Sequence, residues 1–150
     1  MIVSLKKLKT IVKKLKQQNK KIVFTNGCFD ILHKGHITLL KKAKRYGDVL
    51  IVGLNTDSSI KRIKGKDRPI NPQNARAEIL DSIKYVDYVV LFDEDTPYKL
   101  ITEIKPDVVI KGKDYKLKEV VGWGIVPKIV RIDLVKGFST TELIKKIKNV

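Results

Sequence analysis

Cysteine, histidine and acidic residues are scarce in this chain, and their scarcity excludes several classes of protein. One cysteine among 150 residues, Cys28, has no partner for an internal disulfide, so we expect a protein of the reducing cytoplasm. Cys28 itself is expected to fill space in a loop rather than to act as a nucleophile. The chain has two histidines and no spacing of ligands that is typical of a metal site, so no resident metal is predicted.

Long apolar runs are also missing, so the sequence predicts no transmembrane segment and no membrane partner. The first residues include lysines but lack the apolar core of a signal peptide. With 43% hydrophobic residues in a chain of 150, the composition fits one domain that buries an ordinary core.

Basic residues outnumber acidic ones by 32 to 16, which gives a formal net charge of +16. No acidic residue precedes Asp30. This charge is compatible with nucleic acid, with small polyanionic ligands, or with the lysine-rich composition of some thermophilic proteins. Because the lysines are spread along the chain and are not interleaved with aromatic residues, we expect no nucleic-acid partner from the charge alone.

The first apolar pattern has helical spacing. Leu5, Leu8 and Val12 recur on one face of residues 4–18, with lysines between them and Ser4 in position to cap the helix. We therefore expect residues 1–20 to form an amphipathic helix packed on the domain, and residues 21–150 to form the domain that carries the chemistry.

Apolar runs of strand length then alternate with segments of helical spacing along the chain. The predicted strands cover residues 21–24, 48–54, 86–92, 107–110 and 128–134. The predicted helices cover residues 37–44, 58–63, 71–84 and 98–104, with a last one that starts after Ser139. This order predicts a single Rossmann-like α/β domain, a parallel five-stranded sheet with helices on both faces. In such folds a ligand binds at the carboxyl ends of the strands, at the topological switch point.

The loop that follows the first predicted strand carries both histidines of the chain. His33 and His36 lie three residues apart at the start of a helix, so their side chains share one face. Gly27 and Gly35 allow the backbone to approach a ligand, and the free N–H groups of a helix start suit a phosphate. We interpret the loop as a phosphate site; the alternative is ordinary α/β architecture with histidines in a structural role.

The other polar groups fit transfer of a nucleotidyl group. A phosphate monoester is anionic at neutral pH, with a second pKa of about 6, so its attack on a triphosphate needs positioning and charge neutralisation rather than a strong base. Candidate cations for this task are Lys64, Arg68 and Arg76. Magnesium would arrive with the triphosphate, held by its oxygens and by water.

Residues 24–36, FTNGCFDILHKGH, resemble the HxGH signature of the cytidylyltransferase-like nucleotidyltransferase superfamily through His33, Gly35 and His36. Further strings match one subfamily: residues 68–71 (RPIN), 76–80 (RAEIL) and 137–141 (GFSTT). Over residues 22–148 the chain resembles the adenylyltransferase domain of the ADP-heptose synthases.

This resemblance implies transfer of AMP from ATP, with Mg²⁺, to D-glycero-β-D-manno-heptose 1-phosphate, giving ADP-heptose for lipopolysaccharide synthesis and releasing pyrophosphate. It implies a homodimer and, since no sugar-kinase domain is present in these residues, a separate heptose kinase upstream. The implied catalytic residues are His33, His36 and Lys64. The implied nucleotide-binding residues are Thr25, Asn26, Gly27, Phe29, Asp30, Gly35, His36, Asn55, Gly112, Asp114, Ser139, Thr140 and Thr141. The implied contacts to substrate phosphates are Lys64, Arg68 and Arg76.

Two alternatives remain open on the sequence. Glycerol-3-phosphate cytidylyltransferase shares the HxGH loop and the Gly-x-Ser-Thr-Thr element, but this chain has Leu134 and Val135 where those enzymes carry an arginine. A basic nucleic-acid-binding module without catalysis would account for the net charge. The sequence also departs from the subfamily at Lys113, which stands where a second glycine is usual, and at residues 122–136, which are a few residues shorter; both leave the choice of ATP or CTP open.

Overall fold

Five parallel strands form the centre of the structure, a computed structural model that describes residues 1–150. The strands are β1 (Ile22–Gly27), β2 (Val49–Asn55), β3 (Tyr88–Phe92), β4 (Val108–Gly112) and β5 (Lys128–Ile132). Their order in the sheet is β3-β2-β1-β4-β5, and every pairing is parallel. The predicted five-stranded parallel sheet is therefore confirmed, and its switch point lies between β1 and β4.

Six helices connect or flank these strands, together with one short 3₁₀ turn. The helices are α1 (Leu5–Gln17), α2 (Lys34–Lys44), α3 (Asp57–Lys64), α4 (Gln73–Asp81), α5 (Tyr98–Ile104) and α6 (Thr140–Lys148). The 3₁₀ turn covers Leu117–Glu119, between β4 and β5. None of the helices combines the length and the apolar character that a membrane span requires.

The sheet separates two hydrophobic cores, one on each of its faces. Leu8 of α1 and Ile101 of α5 pack with alternate residues of the strands on one face. Leu40 of α2 and Leu80 of α4 pack on the other face. The strands are covered on both sides, which explains why all seven residues of β2 are buried and read as one continuous apolar run. Helices on both faces are thus confirmed.

The chain before α1 extends the sheet beyond β3. Ile2 forms an isolated parallel bridge with Val89, and the amide of Val3 donates to the Val89 carbonyl at 2.9 Å. Ser4 then caps α1 as predicted, since its hydroxyl accepts from the amide of Lys7 at 3.2 Å. The apolar face of α1 turns onto the sheet through Leu8 and Val12, and its lysines face solvent.

Several predicted boundaries differ from the structure. Asn71 does not cap α4: Pro72 occupies the cap position without any side-chain bond. The amide of Asn71 donates instead to the carboxylate of Asp30, and the helix ends at Asp81 rather than near residue 84. Strand β3 begins two residues later than predicted, while β1 and β4 continue to Gly27 and Gly112. The extra residues of β1 and β4 lie at the carboxyl edge of the sheet, where pairing with the neighbouring strands continues.

We expect Leu8→Ala to destabilise the protein by about 2–5 kcal/mol, because the fully buried side chain fills the core between α1 and the sheet. Chemical denaturation in urea would measure the free energy of unfolding. Lys13→Ala on the exposed face of the same helix is the matched control and should change it by less than about 0.5 kcal/mol. Equal effects of the two substitutions would contradict the packing of α1.

Candidate active site

A cavity of about 460 Å³ opens at the carboxyl ends of the strands. It lies beside the switch point between β1 and β4, where the sequence predicts the site. The loops that follow β1, β4 and β5 line it, together with the end of α3 and the loop beyond α3. Residues from these distant parts of the chain therefore meet around one volume.

The two histidines cap helix α2 in a reciprocal arrangement. Nδ1 of His33 accepts from the amide of Gly35 at 3.1 Å, and Nδ1 of His36 accepts from the amide of His33 at 3.3 Å. The rings lie with their centroids 3.9 Å apart. Since each Nδ1 accepts a backbone hydrogen bond, the proton of each neutral ring is on Nε2. Both rings therefore offer an N–H donor from Nε2 beside the first turn of a helix.

Gly35 is required by the position of the His33 ring. A Cβ atom added at this residue would lie 2.8 Å from Cε1 and 2.9 Å from Nδ1 of His33. Any side chain here would thus push the ring off the helix start and break its hydrogen bond. The glycine of the HxGH string therefore makes room for the first histidine.

Both imidazoles are neutral at physiological pH. Burial, together with the repulsion that a protonated His36 would meet from His33 and Lys64, lowers the pKa of His36 to about 4 in spite of the opposing charge of Asp30. Burial also lowers the pKa of His33. In this state the rings act as hydrogen-bond donors without a formal charge. An anion bound against them would favour the protonated form and raise these pKa values.

Asp30 joins three segments of the site. Its buried carboxylate accepts hydrogen bonds from Nε of Arg68 at 3.1 Å, from the amide of Ile70 at 2.8 Å and from the amide of Asn71 at 3.0 Å. Its backbone carbonyl accepts from the hydroxyl of Thr140 at 2.8 Å. Although burial raises the pKa of this carboxyl, these amides and Arg68 lower it to a value below its ordinary one. The carboxylate predicted to contact the nucleotide is thus bonded to the loop between α3 and α4.

The residues on either side of Asp30 have an unusual backbone. Phe29 and Ile31 both lie in the left-handed region, with φ of 46° and 50°. Non-glycine residues adopt this conformation at a cost that surrounding contacts must offset, and such residues often occur at functional sites. Here the ring of Phe29 is buried and lies 5.3 Å from the ring of His36, between centroids. The strained loop therefore helps to pack the histidine pair against the protein.

Arg76 lies in the protein interior and not in the cavity, which corrects its predicted contact with a substrate phosphate. Its guanidinium donates to the carbonyls of Asn71 at 2.9 Å, Cys28 at 2.7 Å and Asn55 at 2.9 Å. It also pairs with the carboxylate of Asp57 at 2.7 Å. Because these loops need donors for carbonyls that the sheet does not satisfy, Arg76 holds the walls of the site together from behind.

Lys64 and Arg68 do line the cavity, on the side of the histidines. Lys64 is the exposed last residue of α3 and lies close enough to His36 to lower its pKa. Arg68 is mostly buried, with 15% of its side chain exposed, and its Nη2 atom has no hydrogen-bond partner in the protein. An unpartnered guanidinium donor at the wall of a cavity is suited to a phosphate oxygen.

The predicted nucleotide-binding residues all border this cavity. They are Thr25, Asn26, Gly27, Phe29, Asp30, Gly35, His36, Asn55, Gly112, Asp114, Ser139, Thr140 and Thr141. Two of them also hold the scaffold: the Thr25 hydroxyl donates to the Ile110 carbonyl at 3.0 Å, and the Asn55 side chain donates to Ser59 at 3.0 Å. Ser139 caps α6 as predicted, since it accepts from the amide of Glu142 at 3.1 Å. The starts of α2 and α6 thus both border the cavity.

The side chain of Lys113 does not occupy the cavity. Its ammonium pairs with Asp133 at 2.7 Å and lies outside the cavity lining, and its φ is not in the left-handed region. The neighbouring Gly112 is the position that must lack a side chain, because a Cβ atom there would lie 2.6 Å from Oδ1 of Asp114. A lysine in place of the second glycine is therefore accommodated without filling the site.

Sequence reasoning did not assign ten of the lining residues: Cys28, Leu39, Ile63, Asp95, Asp133, Lys111, Tyr115, Leu134, Val135 and Phe138. Lys111 and Tyr115 are the sequence neighbours of the predicted Gly112 and Asp114. Their position at the carboxyl end of a predicted strand could therefore have identified them as lining residues. The last three carry no chemical signal in sequence, since apolar residues after β5 resemble core residues until the loop is seen to fold over the cavity.

We expect Asp30→Asn to loosen the loop that precedes α4, because a neutral amide cannot accept three hydrogen bonds from amides and a guanidinium as the carboxylate does. The free energy of unfolding should fall by about 1–3 kcal/mol. Hydrogen–deuterium exchange should accelerate at the amides of Ile70 and Asn71. Asp67→Asn, an exposed change in the same loop, should leave both quantities unaltered; similar exchange in the two variants would argue against this role for Asp30.

Comparison with known proteins agrees with this geometry. The family model described as cytidylyltransferase-like matches residues 24–146, which include the histidine loop and the start of α6. The bifunctional protein HldE of Nitratiruptor sp. is 57% identical over 142 residues, and that of Campylobacter jejuni serotype O:6 is 62% identical over 135 residues. These matches cover 95% and 90% of this chain but only 31% and 29% of the relatives, so the chain spans about a third of their length.

Solved structures resemble this protein over most of its length. The lipopolysaccharide core biosynthesis protein from Thermoplasma volcanium is 37% identical, with a TM-score of 0.67 over 78% of this chain and 99% of that one. A pantoate-beta-alanine ligase from Francisella tularensis shares the fold, with a TM-score of 0.66 at 22% identity. The match covers all of this chain and 78% of the ligase chain. With a capped histidine pair at the sheet's switch point and a family match over more than four-fifths of its residues, the chain belongs to the cytidylyltransferase-like family.

Proposed function

We propose that this protein transfers AMP from ATP to D-glycero-β-D-manno-heptose 1-phosphate, which gives ADP-heptose and pyrophosphate for lipopolysaccharide synthesis. The observation that carries the proposal is the pair of neutral imidazoles that direct Nε2–H donors from the start of α2 at a cavity with cationic walls. The choice of sugar is supported by relatives called HldE and by a similar structure of a lipopolysaccharide core biosynthesis protein.

The chemistry in this proposal is one displacement at phosphorus. A phosphate oxygen of the sugar 1-phosphate forms a bond to the α-phosphorus of ATP, and the bond from that phosphorus to the oxygen bridging to the β-phosphorus breaks. The electron pair of the broken bond leaves with pyrophosphate. Because the nucleophile is already an anion, no side chain has to remove a proton. This fits a cavity that offers donors and cations and has no strong base paired with a nucleophile.

The histidine pair would stabilise the charge that develops during this step. Neutral Nε2–H donors next to the free N–H groups of a helix start resemble an oxyanion hole, which is effective because its dipoles are fixed before the reaction. Arg68, with its unpartnered Nη2, and Lys64 would bind phosphate oxygens on the same side. The protein thus supplies positioning and electrostatic stabilisation, the two terms that dominate such reactions.

Magnesium fits this scheme as a companion of ATP. No group of three or more histidine, cysteine, aspartate or glutamate side chains is arranged to hold a metal ion. A Mg²⁺ ion that enters with ATP needs few protein ligands, since phosphate oxygens and water fill most of its coordination shell. It would help to neutralise the triphosphate, while Lys64 and Arg68 contact oxygens that it leaves free.

The sugar 1-phosphate must come from a kinase, and our proposal puts that activity outside residues 1–150. The relatives are called bifunctional and are about three times as long as the matched region. In those proteins the remaining two thirds of the chain are long enough to form a further domain with a second activity. The homodimer implied by the family resemblance remains a prediction, which sedimentation equilibrium would test.

The glycerol-3-phosphate cytidylyltransferase alternative has less support. Leu134 and Val135 line the cavity at the place where that class is expected to carry an arginine, so one cation is missing. A nucleic-acid-binding module without catalysis would account for the net charge but not for an enclosed site with paired imidazoles.

The substrate assignment predicts a specific pattern of pyrophosphate release. Among ATP and CTP, each combined with heptose 1-phosphate or glycerol 3-phosphate, we expect rapid release for ATP with heptose 1-phosphate. A coupled pyrophosphatase assay would measure all four rates. Turnover of CTP with glycerol 3-phosphate alone would contradict the proposal and favour the alternative.

We expect His36→Ala to lower kcat by about 10²–10³, the usual effect of removing one donor from an oxyanion hole. The circular dichroism spectrum should be retained, because the ring is only partly buried at the edge of the domain. Lys41→Ala, on the exposed face of the same helix, should keep kcat within about twofold of the wild type. Near-normal turnover of the His36 variant would remove this ring from the mechanism.

A further inference from the structure

The cavity has a second cationic wall, formed by Lys111 near the end of β4. Side chains alternate along this strand: Val109 packs in the core under α1 and α5, and Ile110 packs in the core under α2 and α4. The side chain of Lys111 therefore leaves β4 on the face of the sheet that α1 and α5 cover. The histidines belong to α2, which covers the opposite face. Lys111 and the histidine pair thus stand on opposite sides of the same crevice.

The ammonium of Lys111 is poorly satisfied by the protein. It donates one long hydrogen bond of 3.3 Å to the backbone carbonyl of Asn26, and it lies 5.0 Å from the centre of the Tyr115 ring. No carboxylate is within 4.0 Å of it, unlike the ammonium of Lys113 two residues later. Burial lowers its pKa to about 8, although the charge of Asp114 opposes this. An ammonium has three donors, so at least one in this enclosed position has no protein acceptor.

The amide of Asn26 supports the same conclusion. Its Oδ1 atom is buried without any hydrogen-bond partner, directly beside the carbonyl that Lys111 contacts. Unpaired buried polar groups cost free energy, and proteins keep them mainly where a ligand or water completes the bonding. An unpaired donor on Lys111 and an unpaired acceptor on Asn26 therefore indicate a ligand that both accepts and donates hydrogen bonds, as a phosphorylated sugar with free hydroxyl groups does.

The direction of the reaction identifies which substrate this is. In a displacement at phosphorus, the attacking and leaving oxygens lie roughly in line on opposite sides of the phosphorus. If the histidines and α2 hold the leaving pyrophosphate, the nucleophile approaches from the other wall. That wall is the one that carries Lys111 and Asn26.

We propose that Lys111 binds the acceptor substrate by donating to oxygen atoms of its sugar phosphate on the wall opposite the histidine pair, and that Oδ1 of Asn26 accepts from one of the sugar hydroxyl groups there. The inference rests on the proposed function and deepens it, because it moves Asn26, which the family resemblance places with the nucleotide, into a separate acceptor subsite. The oxygens belong either to the phosphate group or to the hydroxyl groups of the sugar, and an ammonium donates to both.

The test compares binding of the two substrates to the wild type and to Lys111→Met. Isothermal titration calorimetry should give a Kd for heptose 1-phosphate that is about 10–100-fold weaker in the variant, as expected for loss of a hydrogen bond from a charged group. The Kd for ATP should stay within about twofold. Lys128→Met is the matched control. Lys128 is also a strand lysine over a tyrosine ring, 5.6 Å from the centre of Tyr46, but it is the first residue of β5 and lies at the amino ends of the strands, away from the cavity.

Simpler ligands distinguish the two sources of oxygen. A loss of affinity for methyl phosphate in Lys111→Met would assign the contact to the phosphate group, and a loss seen only with ligands that carry the sugar would assign it to the hydroxyl groups. Equal acceptor affinity in the wild type and the variant would overturn the inference alone. A larger loss for ATP than for the acceptor would also overturn it, and failure of the wild type to bind any sugar 1-phosphate would overturn the proposed function as well.

A measurement on the wild-type protein covers the case in which Lys111→Met does not fold. The ¹³Cε resonance of Lys111, assigned by its absence from the spectrum of Lys111→Arg, should shift when heptose 1-phosphate is added. Addition of ATP should shift it much less. A resonance that responds to ATP and not to the acceptor would contradict the assignment.

Discussion

The reciprocal cap at the start of α2 is the interaction on which the site depends. Two backbone amides donate to the Nδ1 atoms of His33 and His36, and this fixes the position of both rings and the tautomer of each. The same bonds satisfy amides that a helix start would otherwise leave free. Local helix stability and the chemistry of the cavity are therefore set by one pair of hydrogen bonds, and a change that weakens the cap also misdirects the donors.

The loops around the site are held together by two buried charged side chains, Asp30 and Arg76. Asp30 connects the histidine loop to the loop before α4 and to α6, and Arg76 connects three further segments from behind. Each of these side chains is almost fully buried and bonded to backbone groups. Buried charges are tolerated when every polar atom is paired in this way. Hydrogen bonds from these two side chains thus link the segments that form the walls of the cavity.

Much of this could be predicted from the sequence, because local patterns determine it. The alternation of strands and helices, the switch point and the histidine loop follow from apolar periodicity, glycine and capping residues. The role of Arg76 could not be predicted, since an arginine in an exposed phosphate site and one bonded to interior carbonyls look the same in sequence. Nor could the hydrogen bond from the amide of Asn71 to the carboxylate of Asp30, 41 residues away in the chain. The secondary structure could thus be predicted from the sequence, whereas the hydrogen bonds between residues far apart in the chain could not.

The pairing of residues 1–3 with β3 affects how copies of this protein can associate. An uncovered strand edge invites another chain to add to the sheet. Here the β3 edge already carries the amide of Val3 and the carbonyl of Met1 as hydrogen-bonding partners of Val89. A second molecule that added to the sheet on that side would therefore meet only the short segment of residues 1–3, whereas the full strand β5 ends the sheet on the other side.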